Sequence, residues 1–125
     1  IKGSNSSETN TNSNFRYKIV MLDTRSNKGV MDSMFQMGDG TNDLLGEEQW
    51  IWLESELADS NVDFVLIGSS IQVLPTDKLT EELWGDYPVA RMRLLSLIIR
   101  SKANNVVILS GDVHYAEVSK AHCTW

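Results

Sequence analysis

The segment VDFVLIGSSIQVL, residues 62–74, decides the fold class of this chain. Its apolar residues follow one another almost without interruption up to Gly68 and do not alternate with polar ones. Strands that are covered on both faces have this composition, and they are typical of parallel sheets. The segment therefore predicts a buried strand in a parallel sheet.

A first helical pattern precedes this strand. Residues 45–61, LGEEQWIWLESELADSN, carry Trp50, Leu53 and Leu57 at positions i, i+3 and i+7. The glutamates of the segment lie on the other faces. This spacing predicts an amphipathic helix with one buried stripe.

A second helical pattern follows the strand. Residues 86–105, DYPVARMRLLSLIIRSKANN, open near Pro88, and proline is favoured in the first turn of a helix. The apolar stripe predicted for this helix consists of Met92, Leu95 and Ile99, with Leu94 and Ile98 beside it. The segment predicts a helix that packs against the sheet through that stripe.

Two further apolar runs complete the pattern. Residues 17–22, YKIVML, predict a first strand, and residues 105–110, NVVILS, predict another buried strand at the far end of the chain. The resulting order is strand, helix, strand, helix, strand. Such an order implies parallel strands with right-handed crossover helices, and so we predict an α/β layered domain.

Composition excludes several classes of protein. Apolar residues make up 42% and charged residues 22% of the chain, which is typical of globular proteins. The formal net charge of −6 gives no signature of a nucleic-acid or anionic-membrane partner. No run of 18 apolar residues is present, so no transmembrane segment is predicted. The single cysteine, Cys123, excludes an internal disulfide and a cysteine-based zinc cluster within these residues.

The amino-terminal segment differs from the rest of the chain. Residues 1–16 contain the tract GSNSSETNTNSN and have almost nothing to bury, so we predict a polar low-complexity insertion or linker. Residues 17–125 are predicted to form part of a domain. Because the chain begins without Met, we expect it to be a fragment of a longer protein.

An acid and a histidine follow the last predicted strand. Asp112 and His114 are separated by one residue in the segment GDVH, so both side chains can leave the same edge of the sheet. A carboxylate beside an imidazole suits a divalent or trivalent metal ion. The alternative is that Asp112 caps a turn while His114 is a half-buried, hydrogen-bonded histidine.

The first predicted strand ends in a similar way. Asp23 and Arg25, in the segment LDTR, follow buried residues and are expected at the same edge. An arginine there can hold a phosphate through two parallel hydrogen bonds. The alternative is a structural Asp–Arg ion pair at a turn. The segment GSS, residues 68–70, lacks the pattern of a nucleophilic serine, and Trp84 is a candidate for the border of the site.

The chain resembles the PhoD-like, alkaline phosphatase D family of metallophosphatases. Five segments carry the resemblance, in the same order as in that family: MLDTR, LGEEQWIWLESEL, GSSIQVL, LWGDYPVARMRLLSLI and VVILSGDVHYAE. The resemblance implies the calcineurin-like metallophosphoesterase fold, an αββα sandwich with a multi-metal centre at the strand ends. It also implies a phosphate-ester substrate, hydrolysed as a monoester or a diester.

The resemblance also suggests roles for particular residues. It implies that Asp112 and His114 belong to the late metal-site motif, where His114 either binds a metal or steadies the leaving oxygen. It implies that Arg25 faces the phosphate and that Asp23 supports it or binds a metal. Iron and calcium are the metals expected from the family, with zinc or manganese known in related phosphoesterases.

Two features limit the resemblance. The continuation SNKGVMDSMF after LDTR differs from that of many relatives, and WGDYP departs from the order found in some, so no role is carried over to Asp86.

The family's early metal ligands belong to a preceding half of the domain. We therefore expect the chain alone to be inactive, and we keep a non-catalytic module that binds a partner or a phosphorylated ligand as the alternative.

Overall fold

The computed structural model describes residues 14–28, 43–58, 61–76, 82–101, 103 and 105–120. Its elements are β1 (Tyr17–Met21), α1 (Glu47–Leu57), β2 (Phe64–Ser69), a 3-10 turn (Trp84–Asp86), α2 (Pro88–Arg100) and β3 (Val106–Ser110). The predicted order of strands and helices is confirmed, and the 3-10 turn before α2 is an addition to it.

The strands form a parallel sheet in the order β1-β2-β3. The central position of β2 explains its continuous apolar sequence, and Ile67 pairs with Val20 on one side and with Ile108 on the other. The predicted α/β fold class is therefore confirmed. All three carboxyl ends lie at one edge of the sheet, where the functional side chains were predicted to leave it.

Helix α1 begins at a turn that hydrogen bonds to the side chain of Asp43 stabilise. The carboxylate of Asp43 accepts hydrogen bonds from the Gly46 amide at 3.0 Å and from Trp50 Nε1 at 2.8 and 2.9 Å. Gly46 has φ 75°, a left-handed conformation that glycine adopts at little cost. The predicted stripe of Trp50, Leu53 and Leu57 is buried, as expected.

Trp84 belongs to the hydrophobic core and does not border the site. Its side chain is fully buried, its ring meets that of Trp50 edge-on with 6.3 Å between centroids, and its Nε1 donates to Ser69 Oγ at 3.0 Å. The prediction that Trp84 borders the site was wrong, because its ring is buried against Trp50 and Ser69. A tryptophan can be buried in a core at little cost when its N–H has a hydrogen-bond acceptor there.

The stripe predicted for α2 was wrong in part, since only its members Leu94, Leu95 and Ile98 pack against the core. The residues that α2 buries fully are Ala90 and Leu94, whereas Met92 is 64% exposed and Ile99 is 39% exposed. Apolar side chains cover more than one face of this helix, so hydropathy alone did not determine its orientation. Polar contacts help to set the orientation of α2, since Arg91 donates to the carbonyls of Val73 and Leu74 at 2.7 Å each.

This orientation makes a measurable prediction for α2. In the 125-residue chain, Leu94→Ala is expected to lower the free energy of unfolding by about 2–5 kcal/mol, because it leaves a cavity in the core. The matched change Met92→Ala removes an exposed side chain and should change it by less than about 0.5 kcal/mol. Urea unfolding followed by tryptophan fluorescence measures both. Equal effects of the two substitutions would contradict the observed orientation.

One face of the sheet carries exposed apolar side chains. Ile19 and Met21 of β1 are 57% and 68% exposed, and Val107 and Leu109 of β3 are 42% and 56% exposed. Residues between them, such as Val20, face the helices. The prediction that β3 is buried was therefore wrong for the described residues, because the helices cover only one face. An uncovered apolar face agrees with one half of a two-sheet sandwich, which stays a prediction.

The predicted polar linker, residues 1–16, is described only from residue 14 onward. Residues 1–13 lie outside the described residues, whereas the Arg16 amide donates to the Asp63 carboxylate at 2.8 Å. The domain boundary between residues 16 and 17 stays a prediction. Among the described residues, neither helix has the length and apolar character that crossing a bilayer requires.

Candidate active site

The candidate residues lie at the carboxyl edge of the sheet, in two groups on either side of β2. Backbone pairing continues past the strand ends, from Leu22 N to Gly68 O at 2.9 Å and from Gly111 N to Ser69 O at 3.2 Å. Neighbouring strands lie about 4.8 Å apart, so the ends of β1 and β3 are about 10 Å apart. The structure thus brings both groups to one edge, with the end of β2 between them.

Asp23 holds the turn that presents Arg25. One carboxylate oxygen, Oδ1, accepts hydrogen bonds from the backbone amides of Arg25 and Ser26, each at 2.9 Å. The side chain of Gln49 in α1 bonds the backbone of Asp23 on both sides, accepting from its N–H at 2.8 Å and donating to its carbonyl at 2.9 Å. These contacts favour the supporting role of Asp23, and its role as a metal ligand stays a prediction.

The same contacts lower the pKa of Asp23. Hydrogen bonds from the Ser26 side chain, the Ser26 amide and the Arg25 amide stabilise the carboxylate and bring its pKa from 3.8 to about 2. Because the folded pKa lies below the unfolded one, the contribution of these bonds to stability is present above pH 3.8. It is lost as the pH falls through about 2.

A titration tests this turn. We expect the Asp23 side-chain carbon signal in an NMR titration to move with a midpoint near pH 2, together with the amide signals of Arg25 and Ser26. Ser26→Ala should raise that midpoint, because the Ser26 side chain is the largest cause of the lowered pKa. A midpoint near pH 4 in the unsubstituted chain would show that the turn is not held in this way.

Arg25 pairs with an acid that the sequence analysis did not single out. Its Nη1 lies 2.8 Å from Glu82 Oε2, and the Arg25 side chain remains 54% exposed. Lys28 Nζ lies 2.5 Å from Glu82 Oε1, which also accepts from the Tyr87 hydroxyl at 3.2 Å. The acid that pairs with the Arg25 guanidinium is therefore Glu82, and the alternative of an Asp–Arg ion pair is not observed among the described residues.

Glu82 remains ionised because two cations share it. Burial acts to raise its pKa, but the hydrogen bond and charge of Lys28 and the charge of Arg25 lower it below its usual value. The pair with Arg25 is half exposed, so it contributes less than about 1 kcal/mol to stability. Its main effect is to restrict where the guanidinium lies while leaving N–H groups exposed to a ligand.

Asp112 and His114 both belong to the exposed segment after β3. Both have left-handed backbone conformations, with φ 83° at Asp112 and φ 54° at His114. Residues other than glycine adopt such conformations at a cost, and they concentrate at functional sites. Both side chains are exposed. The alternative of a half-buried histidine therefore does not describe His114 in this structure.

The described residues fit part of a metal site. Among them, no three histidine, cysteine, aspartate or glutamate side chains come together. Asp112 and His114 offer the oxygen and nitrogen donors that hard and borderline metal ions take, but such ions need about six ligands. The donor types suit a metal ion, and a complete site requires ligands from outside the described residues.

Comparison with known proteins identifies the family. The model of the family described as PhoD-like phosphatase matches residues 15–124. The chain belongs to the PhoD-like phosphatase family. The match includes both LDTR and GDVH, and so it covers every candidate residue at the edge of the sheet. The resemblance found in the sequence is therefore confirmed.

Two relatives show how much of a PhoD-like phosphatase this chain represents. It is 29% identical over 116 residues to alkaline phosphatase D of Bacillus subtilis (strain 168), covering 82% of the chain and 20% of that protein. A solved structure of PhoD superposes with a TM-score of 0.58 at 27% identity, covering 77% of the chain and 21% of that structure. The chain thus spans about a fifth of each relative.

Proposed function

We propose that this chain supplies one part of the active site of a metal-dependent phosphoric ester hydrolase, which acts on phosphate monoesters or diesters. The match of residues 15–124 to the PhoD-like phosphatase family carries this proposal. The position of LDTR and GDVH at one edge of a parallel sheet supports it, because ligands of open α/β sheets bind there.

Arg25 and His114 are the residues proposed to act on the ester. Arg25 would bind phosphoryl oxygens through the N–H groups that its contact with Glu82 leaves exposed. His114 would either bind a metal or donate a hydrogen bond to the leaving oxygen. Asp23 would keep Arg25 in place through the turn that it holds, or bind a metal itself.

Asp112, together with His114, is proposed to supply two of the metal's ligands. A metal ion bound there would neutralise negative charge on the phosphoryl oxygens. Iron and calcium are the ions proposed from the family, with zinc or manganese as further candidates. The Asp112 carboxylate suits calcium and manganese, and the His114 imidazole suits iron and zinc. The remaining ligands would come from the rest of the longer protein.

Release of phosphate, measured with malachite green, tests this function. We expect the full-length protein to hydrolyse a simple phosphate ester and to lose that activity in a chelator. The 125-residue chain should be inactive, because two donors bind a metal ion weakly. A full-length protein that is inactive with each of the four metals would overturn the proposed function. Robust metal-dependent turnover by the chain alone would overturn the incomplete site.

A non-catalytic module is the second candidate function. The observation in its favour is that Arg25, held by Glu82, keeps 54% of its side chain exposed and can bind an anion without a metal ion. Such a module would bind a phosphorylated ligand without cleaving it. Binding of orthophosphate by the full-length protein in calorimetry, without any turnover, would select this candidate.

A further inference from the structure

Ser70 lies between the two groups of candidate residues. It directly follows β2, the central strand, and its side chain is exposed. On one side its hydroxyl is hydrogen-bonded to that of Thr24, in the turn that presents Arg25. On the other side its carbonyl approaches Gly111, where a Cβ would lie 3.4 Å from it. Ser70 is thus hydrogen-bonded to LDTR and lies beside GDVH.

The burial of Thr24 indicates which hydroxyl donates. Thr24 is only 2% exposed, and among the described residues the one partner of its hydroxyl is Ser70. A buried hydroxyl that donates to nothing is costly, whereas an exposed one can donate to solvent or to a ligand. Burial of Thr24 therefore favours Thr24 as the donor and Ser70 as the acceptor. The hydroxyl hydrogen of Ser70 is then free to point out from the edge of the sheet.

We propose that Ser70 donates this hydrogen bond to a phosphoryl oxygen of the substrate, and that Thr24 is its positioning residue. This inference rests on the proposed function, and it gives the segment GSS a role that needs no nucleophilic serine. A phosphoryl oxygen bound between Arg25 and the GDVH segment would lie above the end of β2, where Ser70 is exposed. A hydroxyl that accepts one hydrogen bond becomes a better donor for the next.

Four variants of the full-length protein test this role. Ser70→Ala removes the donor, Ser70→Thr keeps it, and Thr24→Val removes the orienting hydroxyl at nearly constant shape. Ser55→Ala removes an exposed hydroxyl of α1 that bonds only the Trp52 carbonyl among the described residues, and it serves as the matched control. The measurements are kcat/KM for a phosphate ester and the dissociation constant of orthophosphate in calorimetry.

Ser70→Ala is expected to lower kcat/KM about tenfold and to weaken orthophosphate binding by the same factor, as loss of a hydrogen bond to a charged group implies. Thr24→Val should shift both values in the same direction by a smaller factor. Ser70→Thr should retain most of both, and Ser55→Ala should match the wild type. Metal content, measured by elemental analysis, should be equal in all variants.

Several outcomes would overturn the role of Ser70, the proposed function, or both. Values for Ser70→Ala within about twofold of wild type would overturn the inference, because a lost charged hydrogen bond exceeds that factor. A lower melting temperature in both Ser70→Ala and Thr24→Val, with unchanged orthophosphate binding, would also overturn it and leave a purely structural pair. Wild-type protein that binds orthophosphate but hydrolyses nothing would overturn the proposed function alone, since the dissociation constants still test Ser70. Wild-type protein that does neither would overturn both.

Discussion

Replacing Asp112 in the full-length protein should lower turnover of a phosphate ester at least about 100-fold, because even residues that only support metal ligands cost 10- to 100-fold. Metal content should fall with activity. Asp112→Asn is the sharper variant, because asparagine tolerates the left-handed backbone found here at φ 83° while it removes the charge. Asp112→Ala should show the same loss together with a small decrease in stability.

The control for Asp112 is another exposed acid. Glu48→Gln removes an exposed carboxylate from the first turn of α1 and should leave turnover and metal content unchanged. Steady-state kinetics and elemental analysis of the purified proteins give both values. If Asp112→Asn retained the full metal content of the wild type, Asp112 would not belong to the metal site.

Replacing Arg25 should reduce catalysis almost as much as replacing Asp112. Arg25→Gln is expected to lower kcat/KM by about 10²- to 10³-fold, the usual effect of removing one preorganised donor from a reacting oxyanion. Arg25→Lys should recover little of this loss, because an ammonium group cannot form two parallel hydrogen bonds to a phosphate. Glu82→Gln should have a smaller effect, because it frees the guanidinium of Arg25 without removing it.

Arg100 provides the matched control for Arg25. It lies at the last residue of α2, and its Nε donates to the carbonyl of Ser96. Arg100→Gln changes the same charge away from the carboxyl ends of the strands and should leave kcat/KM unchanged. An Arg25→Gln enzyme within about threefold of wild type would contradict phosphate binding by this residue, since a charged hydrogen bond is worth more.

Much of the fold could be predicted from local sequence. The run around Ile67 identified β2 as a strand of a parallel sheet, and the spacing of Trp50, Leu53 and Leu57 identified both α1 and its buried face. The orientation of α2 could be predicted only in part, because several faces of that helix are apolar and the contact of Arg91 with the loop after β2 selects among them. Burial of β3 was overestimated, since a run of apolar residues does not reveal how many layers cover it.

The candidate site could also be predicted only in part. Topology alone placed Asp23, Arg25, Asp112 and His114 at one edge, because parallel strands end together. The contact of Arg25 with Glu82 joins residues 57 positions apart, and no local pattern announces it. The hydroxyl pair of Thr24 and Ser70 had one available signal, which is that both residues follow predicted strands.

The measurement that tests the central claim most directly is a crystal structure of the full-length protein with its metal and orthophosphate, recorded with anomalous scattering. We predict a metal peak bonded to Asp112 or His114, and a phosphate that accepts hydrogen bonds from Arg25 and bridges toward that metal across the end of β2. A metal and phosphate bound together elsewhere, with LDTR and GDVH both facing only solvent, would contradict the account.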